Sequence, residues 1–167
     1  MALSGLAPCD AASDKLGASM SIETPEEISM LALINKERQF YEFGKLEFRD
    51  ALIRAARSHS KWMLDRDIFS HTGVNGSNGY TRMRTAGWVF TGAWTWGENI
   101  SWRSIRGAAG YFDEVKEMHA ALMLSPGHRA NILKARFKWI GIGLQLGDFT
   151  KDGRTWRSVM ITQNFAG

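Results

Sequence analysis

Three polar side chains fall where the chain's punctuation predicts element ends. His71 lies in a glycine-rich loop, Glu98 opens a strand pattern, and His128 stands at a helix start. Each has a glycine close by, at Gly73, Gly97 and Gly127. Loops and element ends on a rigid scaffold are where functional groups concentrate. Two imidazoles and a carboxylate are a common ligand set for zinc and similar ions. A helix start disfavours positive charge, which favours the neutral, metal-binding form of His128. The members are 27 and 30 residues apart. Spacing alone therefore favours three unrelated surface groups over one site.

Other chemistries are excluded more firmly. The chain has one cysteine, Cys9, so an internal disulfide and a multi-cysteine zinc site are both ruled out. There is no Walker A sequence, no G-x-G-x-x-G, no H-E-x-x-H and no EF-hand loop. Asn75-Gly-Ser-Asn-Gly79 lacks the first glycine and the preceding strand of a serine nucleophile elbow. Basic-aromatic stretches such as Arg136-Phe-Lys-Trp139 come without a nucleic-acid-binding motif, and nucleic acid is not an expected partner. The two remaining histidines, His59 and His119, lie on apolar helix faces and read as core, with an approach to the cleft from the helix face as the alternative for His119.

The elements that must position the first three residues are legible. Thr24-Pro-Glu-Glu27 is a capping box with proline at the first helical position, and Ile28, Leu31 and Ile34 continue it as a helix to near Gly44. A second helix is predicted over 50–65. Leu52, Ala55, Ala56, His59 and Met63 share its apolar face, and the alanines allow close approach of another layer. Residues 70–79 are turn-rich. A short helix over 80–86 follows and stops at Gly87. Four of the seven tryptophans crowd into 88–102, where the simplest reading is core, and 98–102 alternate as a strand.

A turn at 107–110 precedes a helix over 111–124. Ser125-Pro126 ends that helix and opens another, with Ser125 as N-cap and His128 at the third position. Ile140, Ile142, Leu144 and Leu146 share one face of a strand, with Gly141 and Gly143 on the other. A turn at Asp152-Gly153 joins it to a second strand over 155–165. Strands with few charges on either face imply a sheet covered on both sides, hence an α/β/α layered domain.

The 167 residues make one domain, with 44% apolar and 23% charged residues. The net charge of +4 is uneven: residues 1–30 carry −4 and the remainder +8. A basic surface of this kind is compatible with anionic partners such as a cell-surface polymer, although solvated charge explains it as well. No apolar run is long enough for a transmembrane helix. No basic start or apolar h-region of a signal peptide is visible, and residues 1–23 read as a small-residue tail before a domain over 24–167.

Three segments together resemble the successive signatures of the CAP superfamily of cysteine-rich secretory, antigen 5 and pathogenesis-related proteins. They are Ser70-His71, Trp96-Gly-Glu-Asn-Ile-Ser-Trp102 and Ser125-Pro-Gly-His-Arg-Ala-Asn-Ile-Leu133. The last is similar to the bacterial, SCP-like branch. Leu33-Ile-Asn-x-x-Arg38, Ile140-Gly-Ile-Gly143 and Thr162-Gln-Asn-Phe165 also fit.

The resemblance implies a three-layer α-β-α sandwich with a central, mostly antiparallel sheet. It also implies a cleft lined by His71, Glu98 and His128, with Ser125, Ser70 and Asn99 as neighbours. The family's second cleft glutamate falls at Ser125, and Glu114 and Glu117 are poor substitutes. From the family come three further expectations: a weakly bound divalent ion, zinc first; a small or lipid-like ligand; and a secreted or cell-envelope location. Two alternatives stand beside that binding function. One is a metal-assisted hydrolase of peptide or cell-wall bonds, with Glu98 as ligand or base. The other is a surface adhesion or wall-contact module.

Overall fold

The computed structural model describes residues 22–107 and 110–167. Cys9, most of the predicted tail and the middle of the 107–110 turn lie outside the described residues. Helix α1 spans Pro25–Phe40 and opens on the predicted box. Thr24 Oγ1 accepts from Glu27 N at 3.2 Å, and the Glu27 carboxylate accepts from Thr24 N at 3.0 Å. Glu27 is fully buried and also accepts from Arg57 Nε at 2.8 Å and Leu144 N at 3.2 Å, so one cap residue joins three elements. The helix stops four residues before the expected Gly44. Glu42 takes a left-handed φ of 60°, and Phe43 N–H closes back on the Arg38 carbonyl at 2.8 Å.

Strand β1 is only Glu47–Phe48, too short for alternation to reveal. Helix α2 (Asp50–Asp65) agrees with the predicted bounds. Helix α3 (Gly79–Thr85) begins one residue early because Asn78 caps it, accepting from Thr81 N at 2.9 Å. Strand β2 (Trp96–Ser104) is longer than its alternating centre. Helices α4 (Phe112–Leu124) and α5 (Pro126–Ile132) meet at Ser125, with Pro126 in the first position of α5. Strands β3 (Trp139–Lys151) and β4 (Arg154–Ala166) form a hairpin across Asp152-Gly153.

The sheet order is β1-β3-β4-β2. Only the β1–β3 pair is parallel, so the sheet is mostly antiparallel, as expected. On one face, Met30 and Ile34 of α1 and Val115, Met118 and Leu122 of α4 pack with Ile140, Ile142 and Ile161. On the other, α2 lies directly on β3. A Cβ at Gly141 would stand 2.0 Å from the Leu52 carbonyl carbon, and one at Gly143 would stand 2.1 Å from Arg57 N. The two glycines therefore let helix backbone touch strand backbone. Ser60 of α2 clamps the contact, donating to Gly143 O at 2.8 Å and lying 2.8 Å from Thr162 Oγ1.

The core reading of the tryptophans holds for three of the four. Trp88, Trp96 and Trp102 are half-buried and Trp94 is 44% exposed. Trp88 and Trp96 pack against Leu52, Ala55 and Met83, and Trp102 against Met63, Ile100 and Met160, while Trp94 faces solvent.

Candidate functional site

His71 follows α2 in the loop before α3, and Glu98 is the third residue of β2. The loop lays the imidazole against the strand, with His71 Nδ1 2.9 Å from Glu98 Oε1. The His71 side chain is 56% exposed and that of Glu98 only 3%. On the carboxylate's far side Arg82 of α3, itself buried, donates from Nη2 to Oε2 at 2.5 Å. Asn164 of β4, with its amide nitrogen turned towards Glu98, donates to Oε2 at 3.1 Å.

Burial pushes the Glu98 carboxyl up. The hydrogen bond from His71 and the Arg82 guanidinium outweigh it and hold the group below the usual carboxylate range. An ionised carboxylate only accepts, so His71 Nδ1 carries the proton and Nε2 is the outward ring nitrogen. Arg82 also holds the loop's backbone, donating to His71 O at 3.1 Å and Ser77 O at 2.7 Å.

His128 occupies the third position of α5. Burial, and then the proximity of His71, push its imidazole below the ordinary value. The neutral form expected from its place at a helix start is thus favoured, mainly through desolvation. The charge of His71 reaches His128, and Glu98 contacts His71 directly.

Asn99 supports this from beneath. It is fully buried and donates to His128 O at 3.2 Å and to Gln163 Oε1 at 3.0 Å. Asn131 of α5 donates to Asn99 Oδ1 at 2.9 Å and to Glu98 O at 3.3 Å. Gly97 has no side chain because Asn131 needs the space: a Cβ there would be 2.8 Å from Asn131 Oδ1. The neighbours expected at the cleft divide by role. Asn99 is a buried strut. Ser70 presents its carbonyl to His59 Nε2 at 2.9 Å, and Ser125 lines a groove beside His128.

That groove has a volume of ≈ 280 Å³ and is walled by Phe69, Ile100, Trp102 and Leu122, with Ser125 and His128 at its polar end. Glu114 and Glu117 take no part. Glu114 accepts from Arg106 N, and Glu117 pairs with Arg103 and Arg106. His119 turns to α1, where its Nε2 lies 3.9 Å from Glu37 Oε1. His59 is core as expected, 1% exposed, and donates through Nε2 to Ser70 O while Nδ1 has no partner.

Whether a divalent ion fits is decided by the donors. Both oxygens of Glu98 are already engaged, and Ser125 stands where a second carboxylate was expected. Among the described residues no three His, Cys, Asp or Glu side chains gather into a metal-holding group. The residues fit at most an open attachment through two imidazoles and not a closed centre.

Arg82 is the residue that motif reading missed. Its sequence neighbours carry no signature. The only available hint was a pair of arginines, Arg82 and Arg84, on the helix that leads out of the His71 loop.

The model of the cysteine-rich secretory protein family (CAP) matches residues 31–165. An uncharacterized protein of Bacillus subtilis (strain 168), YkwD, is 31% identical over 141 residues, which are 84% of this chain and 47% of that protein. An extracellular protein containing an SCP domain from Bacillus anthracis superposes with a TM-score of 0.59 at 26% identity. The match covers 87% of this chain and 44% of that one. An outer surface protein of Borrelia burgdorferi shares the fold, with a TM-score of 0.59 at 15% identity over 87% of this chain and 95% of its own. The chain spans about half the length of the two Bacillus proteins.

Proposed function

The chain belongs to the cysteine-rich secretory protein family in its bacterial form, and from that premise we propose that it is a ligand-binding domain of the cell surface or exterior. Its ligand is a small or lipid-like molecule with an apolar body and one hydrogen-bonding head. The observation that carries this reading is the groove of Phe69, Ile100, Trp102 and Leu122 ending at Ser125 and His128. An apolar wall with a few convergent polar groups is the usual form of a small-molecule site. A neutral imidazole offers one donor and one acceptor, which suits a hydroxyl or amide head. The exterior location is supported by the extracellular and outer-surface relatives, and among the described residues no helix is long and apolar enough to cross a membrane.

The hydrolase alternative is less well supported. A general base needs a pKa near the working pH. Glu98 is held in the opposite direction, and both its oxygens are already engaged by His71 and Arg82. A divalent ion is a second reading, favoured by the outward Nε2 of His71. A histidine whose other nitrogen is held by a carboxylate is a well-oriented ligand. His71 and His128 would hold such an ion, which would supply Lewis acidity when bound.

The test is titration with a dansyl fatty acid, in buffer with and without chelator. Saturable binding that survives chelator and is lost in Ser125→Phe, which fills the groove, is expected. Equal binding by Ser125→Phe and the parent chain would remove the groove from the account.

A further inference from the structure

Two stretches of this chain hold no carboxylate, residues 68–97 and 118–147. The fold brings residues 134–136 of the second beside 93–95 of the first. The first contains residues 85–97, which carry no charge of either sign, yet this segment lies at the surface. Val89 is 73% exposed and Trp94 44%. Behind them the rings of Tyr80, Phe90 and Trp94 pack on one another with centroids 4.9–5.0 Å apart. A groove of ≈ 390 Å³ runs between Tyr80, Arg84, Trp88 and Phe90. The ring cluster makes the loop a firm apolar tip.

Four cations surround that tip, each fastened to it. Arg54 donates to Ala86 O at 3.0 Å, Lys134 to Thr95 Oγ1 at 3.0 Å and Arg136 to Ala93 O at 2.7 Å. The Arg84 guanidinium lies 5.8 Å from the Tyr80 ring centre. None of the four forms an ion pair with any described residue. Glu47 is paired with Arg49 over the Trp139 ring, and Asp50 stands one turn before Arg54 on α2 without forming an ion pair with it.

We propose that this face docks on an anionic lipid bilayer. Val89 and Trp94 enter the headgroup boundary, and Arg54, Arg84, Lys134 and Arg136 meet lipid phosphates. Only such a surface uses both halves of the face. A soluble polyanion would satisfy the cations and leave Val89 and Trp94 in water. An uncharged apolar partner would cover the tip and desolvate four unpaired cations. The contribution of each cation near an anionic leaflet is about a fivefold gain in partitioning. The His71–His128 cleft takes no part, so the inference is independent of the groove reading.

The test is co-sedimentation of the full chain with vesicles of phosphatidylcholine containing one third phosphatidylglycerol, in about 0.1 M salt, where charges are screened beyond about 10 Å. Binding to these vesicles and not to pure phosphatidylcholine is expected. Arg84→Ser/Arg136→Ser should weaken it about 25-fold, two cations at fivefold each. Val89→Asp, at an exposed site that does not threaten folding, should weaken it at least as much as losing one cation. Three results would each overturn the proposal: no vesicle binding, equal binding to neutral vesicles, or binding that dextran sulfate matches and Val89→Asp leaves unchanged.

Discussion

Acidification should loosen this protein through His59. His59 is 1% exposed, with Nε2–H on Ser70 O and Nδ1 facing no partner. Burial, together with the nearby Arg82 charge, pushes its pKa down to about 4. In the unfolded chain it returns to about 6.5. The folded value is the lower one, so the unfolded state binds the extra proton first. The stability is therefore fully present above pH 6.5 and is lost as the pH falls from there to about 4. That gap corresponds to at most about 3 kcal/mol, a large part of a typical domain's stability. The cost is local as well as global, because His59 holds Ser70, the residue before His71.

The assay is urea unfolding at a series of pH values between about 7.5 and 4.5, for the parent chain and for His59→Gln. Glutamine keeps a donor for Ser70 O and does not titrate. The parent should lose up to about 3 kcal/mol more than the variant across that range. His128 and His119, whose pKa values are also lowered, give both proteins a shared residual slope. Parallel curves for the two proteins would refute the reasoning.

Arg82→Met should cost about 3–5 kcal/mol by leaving the buried Glu98 charge without its main cation, and Arg82→Met/Glu98→Gln should recover part of that loss in a denaturation series. Gly143→Ala should cost about 3 kcal/mol or abolish folding, because its Cβ would meet helix backbone. Gly147→Ala, whose neighbours are Leu64 side-chain atoms at 3.1 Å and beyond, should cost much less; thermal melts compare the two. Calorimetry with zinc should show weak, saturable binding that disappears in His71→Ala. Tight binding that survives His128→Ala would exclude the two-imidazole attachment.

Much of this protein is legible as local chemistry. The Thr24–Glu27 box, the alanine face of α2, the Ser125-Pro126 junction and the glycine-backed strand each depend on residues a few positions apart. The helix and strand bounds follow from them to within a few residues. The His71, Glu98 and His128 positions were visible as functional types at element ends. Only the ordered motifs argued for placing them in one cleft, since spacing alone argued against it. The early stop of α1 escaped reading because Glu42, not a glycine, takes the left-handed turn. The two-residue β1 escaped because its existence is a pairing with Trp139 and Ile140.

The sequence by itself determined the layers and which histidines were candidates, because periodicity, caps and turns act within one or two turns of chain. Tertiary structure alone decided what Glu98 does. Its partners lie on a loop, a helix and a neighbouring strand, and only docking of α3 against β2 sets Arg82 on its carboxylate. It also decided that Trp94 faces solvent while Trp88, Trp96 and Trp102 lie against the core. Hydropathy records a residue's preference for burial, and whether enough layers exist to bury it is a property of the assembled fold.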